Sequence, residues 1–135
     1  MEWTDHYETG HPVIDRDHRD IVDIINRLEV ELDTENPTEI SGILCDLTDS
    51  ILDHFGREER MMLKIRYPEY GAHMLSHCRF FAALTRFIYV FETDQATSCR
   101  AMHAFLTDWM VGQECSEDQP FVRFLNAGYP DDTGR

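Results

Sequence analysis

The chain has 135 residues, 42% of them hydrophobic, and a formal charge of −14 from 12 basic and 26 acidic side chains. That length and apolar content describe one globular domain with a single core, not a disordered chain. So acidic a surface repels phosphate backbones and anionic lipid, which argues against nucleic acid and membrane as partners, and no apolar run approaches the ~20 residues of a membrane span.

In chain order, residues 1–11 read as an arm carrying Trp3 and Tyr7. The arm lacks the basic and apolar regions of a secretory leader, which points to the cytoplasm. Helical apolar spacing then begins. The first stretch carries Ile14, His18, Ile21, Ile25, Leu28 and Leu32, in alternating steps of four and three. After the cap and first-turn proline of Asn36-Pro37-Thr38 comes a second stretch with Leu44, Leu47, Ile51, His54, Glu58, Met61 and Ile65. Tyr67-Pro68 separates it from a third, with His73, His77, Phe80, Leu84, Phe87 and Phe91. Thr93-Asp94 precedes a fourth, with Met102, Leu106, Trp109, Met110 and Gln113. Strand signals are absent. Four such helices joined by short turns predict an all-α, antiparallel up-down-up-down four-helix bundle over about 12–118, one domain with a tail at 119–135. Phe121, Phe124 and Leu125 in that tail are expected to fold back as a short capping turn. Cys45, Cys78, Cys99 and Cys115 form no CxxC pair and read as reduced core or near-core thiols.

Polar residues interrupt the apolar stripes: His18, then His54 with Glu58, then His73 with His77. Residues at i and i+4 share a helix face, and burying such groups is costly unless something satisfies them. One histidine on an apolar stripe is most often a hydrogen-bonded core residue, and one i,i+4 pair is only suggestive. Antiparallel topology changes that weighting. It brings the start of the first helix, the end of the second, the start of the third and the end of the fourth to one end of the bundle. Glu58 is nine residues before Tyr67 and His77 ten after it. At ~1.5 Å per residue both lie about 13–15 Å from the turn. The interruptions therefore converge on one layer.

Mixed imidazole and carboxylate donors suit iron, manganese or zinc. More than six protein donors exceed what one ion usually takes, so two ions bridged by carboxylates is the economical solution, with Glu58 and Asp118 as the natural bridges. In the last of these stretches, WMVGQECSED (Trp109 to Asp118), oxygen donors are abundant and histidine is absent.

These segments resemble the hemerythrin family, specifically its bacterial single-domain members. The likeness is carried by IDRDH (Ile14–His18), HFGREE (His54–Glu59), YPEYGAHMLSH (Tyr67–His77) and the Trp109–Asp118 stretch, and it spans nearly the whole chain. The resemblance implies a four-helix bundle around a non-haem di-iron site that binds dioxygen. It implies His18 and His54 on the iron with an open position, His73 and His77 on the other, and Glu58 and Asp118 as bridges. The family pattern has a further histidine where this chain has Gln113, and a bulky aliphatic residue where it has Glu114. It usually has glutamine where Asp17 stands, a change from which little is expected.

Three arrangements remain open at that point. The Gln113 amide oxygen or a water replaces the imidazole while Glu114 turns away; or Glu114, i,i+4 from Asp118, enters the cluster; or both lie in a frayed, solvated helix end. Two function classes follow from the resemblance: a protein that binds, stores or senses dioxygen, and a carboxylate-modified di-iron redox enzyme acting on oxygen, peroxide or nitric oxide. A metal-buffering or structural site is the third class. Phe55, Trp109 and Met110 are expected either to wall a ligand pocket or to be plain core. Glu59 reads as surface, Met61 and Met62 as packing, His6 and His11 as solvated, and His103 as too far from Gln113 to reach the site. The sequence leaves the oligomeric state open, a monomer among the options.

Overall fold

A computed structural model describes residues 1–32, 36–93 and 95–128; the side chains of residues 95–98 and 113 fall outside the described part. Its helices are α1 (Pro12–Glu31), α2 (Pro37–Ile65), α3 (Tyr70–Thr93), α4 (Gln95–Trp109) and α5 (Cys115–Asn126), with a π-helical turn, Met110–Glu114, joining α4 to α5. Helix α1 packs on α2 and α4, and α3 packs on α2 and α4, which closes a four-helix bundle. Among the described residues no helix is long and apolar enough to cross a membrane.

Local chemistry sets the helix ends. Helices α1 and α2 both begin with proline, whose fixed φ suits a first turn and whose missing N–H is not needed there. His11 caps α1 through Nδ1, 3.4 Å from the Ile14 N–H, and so has a structural part that the solvated reading overlooked. Asn36 Oδ1 accepts from the Thr38 and Glu39 N–H groups. Helix α2 ends at Arg66, which adopts the left-handed conformation at φ 56°, and the Tyr67 N–H closes back on the Met62 carbonyl at 2.9 Å. This is a Schellman stop with arginine in the place usually held by glycine. The arm enters α1 over Gly10, at φ +93°, and is pinned by Asp15, whose carboxylate accepts from Thr9 N, Thr9 Oγ1 and Gly10 N.

Two apolar clusters form the interior. The larger runs from Ile21 and Leu28 on α1 through Ile51, Phe80, Leu84 and Leu106 to Trp109 and Met110. The smaller holds Ile14, Met62, Ile65, Tyr67, Phe121 and Val122. His18, His54, Glu58, His73, His77, Glu114 and Asp118 are all buried at chain positions that fall between the two, so the polar layer is closed by apolar packing on both sides.

Two expectations need correction. The fourth rod does not stop near Asp118: α5 continues through Pro120 to Asn126, and Phe121 and Val122 are fully buried. Proline cannot donate to the carbonyl four residues back, but that carbonyl belongs to exposed Ser116, where water can serve it, and burial of Phe121 favours continuation. The cysteines also divide. Cys99 and Cys115 are buried, whereas Cys45 and Cys78 lie exposed on the outer faces of α2 and α3.

Candidate metal centre

Each bundle element delivers part of the layer. Helix α1 supplies His18, one turn above Ile14. Helix α2 supplies His54 and Glu58 on one face, and α3 supplies His73 and His77 likewise. The fourth rod supplies Glu114 and Asp118 through the π turn, in which the Cys115 N–H reaches five residues back to the Met110 carbonyl. A π turn accommodates one residue more than an α turn and so rotates the side chains that follow it.

The donor atoms fall into two groups that share Glu58. His18, His54, Glu58, Glu114 and Asp118 each offer an atom within 4.8 Å of the others, and so do Glu58, His73 and His77. The two central carboxylates face both ways. Asp118 Oδ2 lies 2.7 Å from His18 Nε2 and 3.2 Å from His54 Nε2, while Asp118 Oδ1 lies 2.9 Å from His73 Nε2. Glu58 Oε2 lies 3.4 Å from His54 Nε2, while Glu58 Oε1 lies 2.9 Å from His73 Nε2 and 3.3 Å from His77 Nε2. Glu114 Oε2 sits 2.5 Å from His54 Nε2 and 3.4 Å from His18 Nε2.

The protein atoms alone leave this layer poorly satisfied. Glu58 Oε2, Asp118 Oδ1 and His77 Nε2 are buried without a hydrogen bond, although charged neighbours stand close. Such orphans are rare in a folded interior and call for an ion or water. Burial and the charge of Asp118 raise the Glu58 carboxyl well above its ordinary range. Burial would raise Asp118 as well, but its polar contacts to Glu58, His18, His54 and His73 outweigh it and hold it well below. For His18 and His54 burial acts to lower the imidazole; contacts to Asp118, Cys115 and Glu114 for His18, and to Glu58, Asp118, Asp17 and Glu114 for His54, outweigh it and raise both well above their ordinary value. In the metal-free chain, protons do the neutralising that cations would otherwise do. A donor set of four imidazoles and three carboxylates, its ring nitrogens turned inward, fits borderline divalent or trivalent cations such as iron.

Outer residues orient these donors, and sequence reasoning missed two of them. Asp17 is buried, not inconsequential. It accepts from His54 Nδ1 at 3.1 Å and is held by Arg57 through Nε at 2.9 Å and Nη2 at 2.8 Å. Burial would raise its carboxyl, but these bonds and the positive charges behind them lower it to about 2. Glu59 does not point away: its Oε2 lies 2.8 Å from His77 Nδ1. In both pairs the carboxylate is placed to accept from Nδ1–H, which leaves Nε2 as the nitrogen that faces the layer and can turn its lone pair to a cation once any proton there is displaced. The available signal was that each ligand-type histidine needs an acceptor for its second nitrogen, and an unassigned acid stands beside His18 and beside Glu58. Cys115 Sγ lies 3.9 Å from His18 Nδ1, and the Trp3 ring covers His18 at 6.3 Å.

Of the expected pocket residues, Phe55 stacks on the His77 ring at 3.5 Å and 6°, and Trp109 stacks on Phe80 at 3.9 Å. Met110 is fully buried in the larger core. Surface depressions reach the layer on one side: about 500 Å³ along Phe55, Glu59, His77 and Phe81, and about 290 Å³ along Tyr67, Glu69, Ala72, His73, Glu117 and Pro120. A further hollow of about 320 Å³ between α2 and α3, along Ser41, Leu44 and Phe91, contains none of the layer residues. Glu114, 2% exposed, is neither turned away nor in a frayed helix end. The Gln113 side chain lies outside the described residues. His103 is away from the layer, 4.0 Å from Glu29.

Fold and layer together define a helical-bundle protein built to hold cations in its interior. The family model for the hemerythrin HHE cation binding domain matches residues 9–125, and the chain belongs to that family. It is 28% identical over 128 residues to a bacteriohemerythrin of Methylococcus capsulatus, covering 94% of this chain and 98% of that protein. It is 25% identical over 127 residues to one of Stenotrophomonas maltophilia, covering 94% and 82%. It is 27% identical over 122 residues to one of Pseudomonas aeruginosa, covering 90% and 79%.

Proposed function

We propose that the layer holds two non-haem iron ions bridged by Glu58 and Asp118, and that the protein binds dioxygen or a similar small ligand there. The observation that carries this reading is the two-faced placement of the bridges: each offers one oxygen toward the His18/His54 side and the other toward the His73/His77 side. Kinship with proteins named bacteriohemerythrin supports iron and oxygen as the cargo. His18 and His54 would hold one ion, with Glu114 beside them, and His73 and His77 the other. When bound, the pair of ions supplies reversible binding of dioxygen or electrons to reduce it. The chain contributes fixed imidazoles, two bridges, an apolar seal above and below, and carboxylates at Asp17 and Glu59 that hold the Nδ1 protons.

Glu114 favours a second reading, redox turnover of oxygen, peroxide or nitric oxide. A buried carboxylate against His54 adds negative charge where an apolar side chain would keep the site dry, and so stabilises ferric over ferrous iron. One experiment separates the two. The metal-free protein is loaded anaerobically with ferrous iron, iron per chain is counted, and oxygen is admitted and then withdrawn. A visible charge-transfer band that disappears on deoxygenation supports binding; rapid irreversible conversion to a ferric spectrum supports redox turnover; fewer than two irons sinks the two-ion reading.

A further inference from the structure

The donors in the layer are shared unequally between its two sides. The His18/His54 side has five residues: two imidazoles, both bridges and Glu114. The His73/His77 side has two imidazoles and the facing oxygens of the same bridges, and its His77 Nε2 makes no hydrogen bond. Among the described side chains Glu114 is the difference, and its Oε2 lies within 3.4 Å of the ring nitrogens of both His18 and His54.

Access is unequal in the same sense. His18 and His54 are sealed at 0% exposure, with the Trp3 ring against His18 and Asp17 and Arg57 behind His54. His73 and His77 each line one of the two depressions described above, formed among the described residues. Among the described residues the side with more donors is thus the more enclosed one, and the side with fewer donors faces these two depressions.

Granting two ions, as in the preceding section, we propose that Glu114 closes the ion held by His18 and His54, and that the exchangeable ligand position lies on the ion held by His73 and His77. The ligand class is a small molecule or anion with one donor atom, entering past Ala72 and Glu117 or past Phe55 and Glu59. Glu114 is a ligand that sets where exogenous molecules bind, and the π turn is the backbone device that delivers it.

The test uses azide on the iron-loaded full chain. Iron per chain is counted, azide uptake is followed by its visible absorption, and azide-soaked crystals locate iron by anomalous scattering and azide by difference density. The expected result is two irons and about one azide, bound to the ion near His77, the one farther from Glu114. Glu114→Leu is expected to raise uptake to about two azides per chain by opening the other ion. Two irons with azide on the His18/His54 ion, or with no azide bound, overturns this assignment and leaves the two-ion reading standing. Fewer than two irons overturns both. The wild-type crystal result is decisive even if the leucine variant fails to load.

Discussion

Asp17 and His54, on neighbouring helices, are joined by a 3.1 Å hydrogen bond from Nδ1 to a carboxylate that Arg57 grips with two further bonds. The pair fixes the orientation of the His54 ring, with Nε2 toward the layer, before any cation arrives. Outer partners of this kind typically contribute 10–100-fold to metal affinity. Asp17→Ala is therefore expected to weaken ferrous or zinc binding by about that factor, and Asp17→Asn, which keeps an acceptor without the charge, by less. Competition against a chelator of known affinity measures both. Equal affinities in all three proteins would show that His54 needs no help from Asp17.

The metal-free chain should respond to pH in the opposite sense to metal binding. His18 and His54 titrate well above their ordinary value of 6.5, so the stability they contribute is complete below that pH and is lost as pH rises through their folded values. Metal must displace the same protons, so affinity rises with pH and loading releases protons. Thermal melts of the metal-free protein between pH 6 and 9, with proton release measured by indicator dye during zinc addition, read both quantities. A metal-free melting temperature that climbs across this range would contradict the assignment.

At the acid end Asp17 and Asp118 both contribute, and Asp17 can be changed without removing a donor from the layer. Its folded value of about 2 lies below the ordinary 3.8, so its contribution is present above 3.8 and is lost as pH falls through about 2. Asp17→Asn should flatten the acid limb of the stability curve between these values. Denaturant melts at pH 2.5 and pH 5 test it, with a smaller difference expected in the variant.

Arg66 holds the left-handed C-cap of α2 with a side chain that disfavours it, and it is exposed. Arg66→Gly removes the Cβ clash and should stabilise the fold by about 0.5–1 kcal/mol, or roughly 2–4 °C in Tm. Calorimetry on the metal-loaded protein checks this. A lower Tm would mean that the arginine side chain contributes more than its backbone strain costs.

Phe121 closes the layer from below, fully buried and with its ring 5.3 Å from Tyr67. Phe121→Ala should cost about 3–5 kcal/mol and open a cavity against the polar layer. Faster iron loss to a chelator is expected to accompany the lower Tm. Loss of stability without faster iron release would place the seal elsewhere.

The sequence by itself determined the bundle, because a seam of apolar residues stepping by three and four can be buried only against other such seams. It also made His18, His54, Glu58, His73, His77 and Asp118 stand out as one layer, because polar groups in such a seam are unaffordable singly and antiparallel order brings them to one depth. The roles of Asp17 and Glu59 were not legible. Each is one of two adjacent acidic or polar neighbours, and only the rotation of α1 and α2 in the packed bundle decides which imidazole it meets. Nor did the residue pattern settle the end of the fourth rod, where Pro120 argues for a stop and burial of Phe121 overrides it. Glu114 shows the limit most clearly. Its spacing from Asp118 permits a place in the cluster or in solvent, and it is the π turn at Met110–Glu114, a backbone choice that depends on packing around Trp109 and Met110, that seats it against His54.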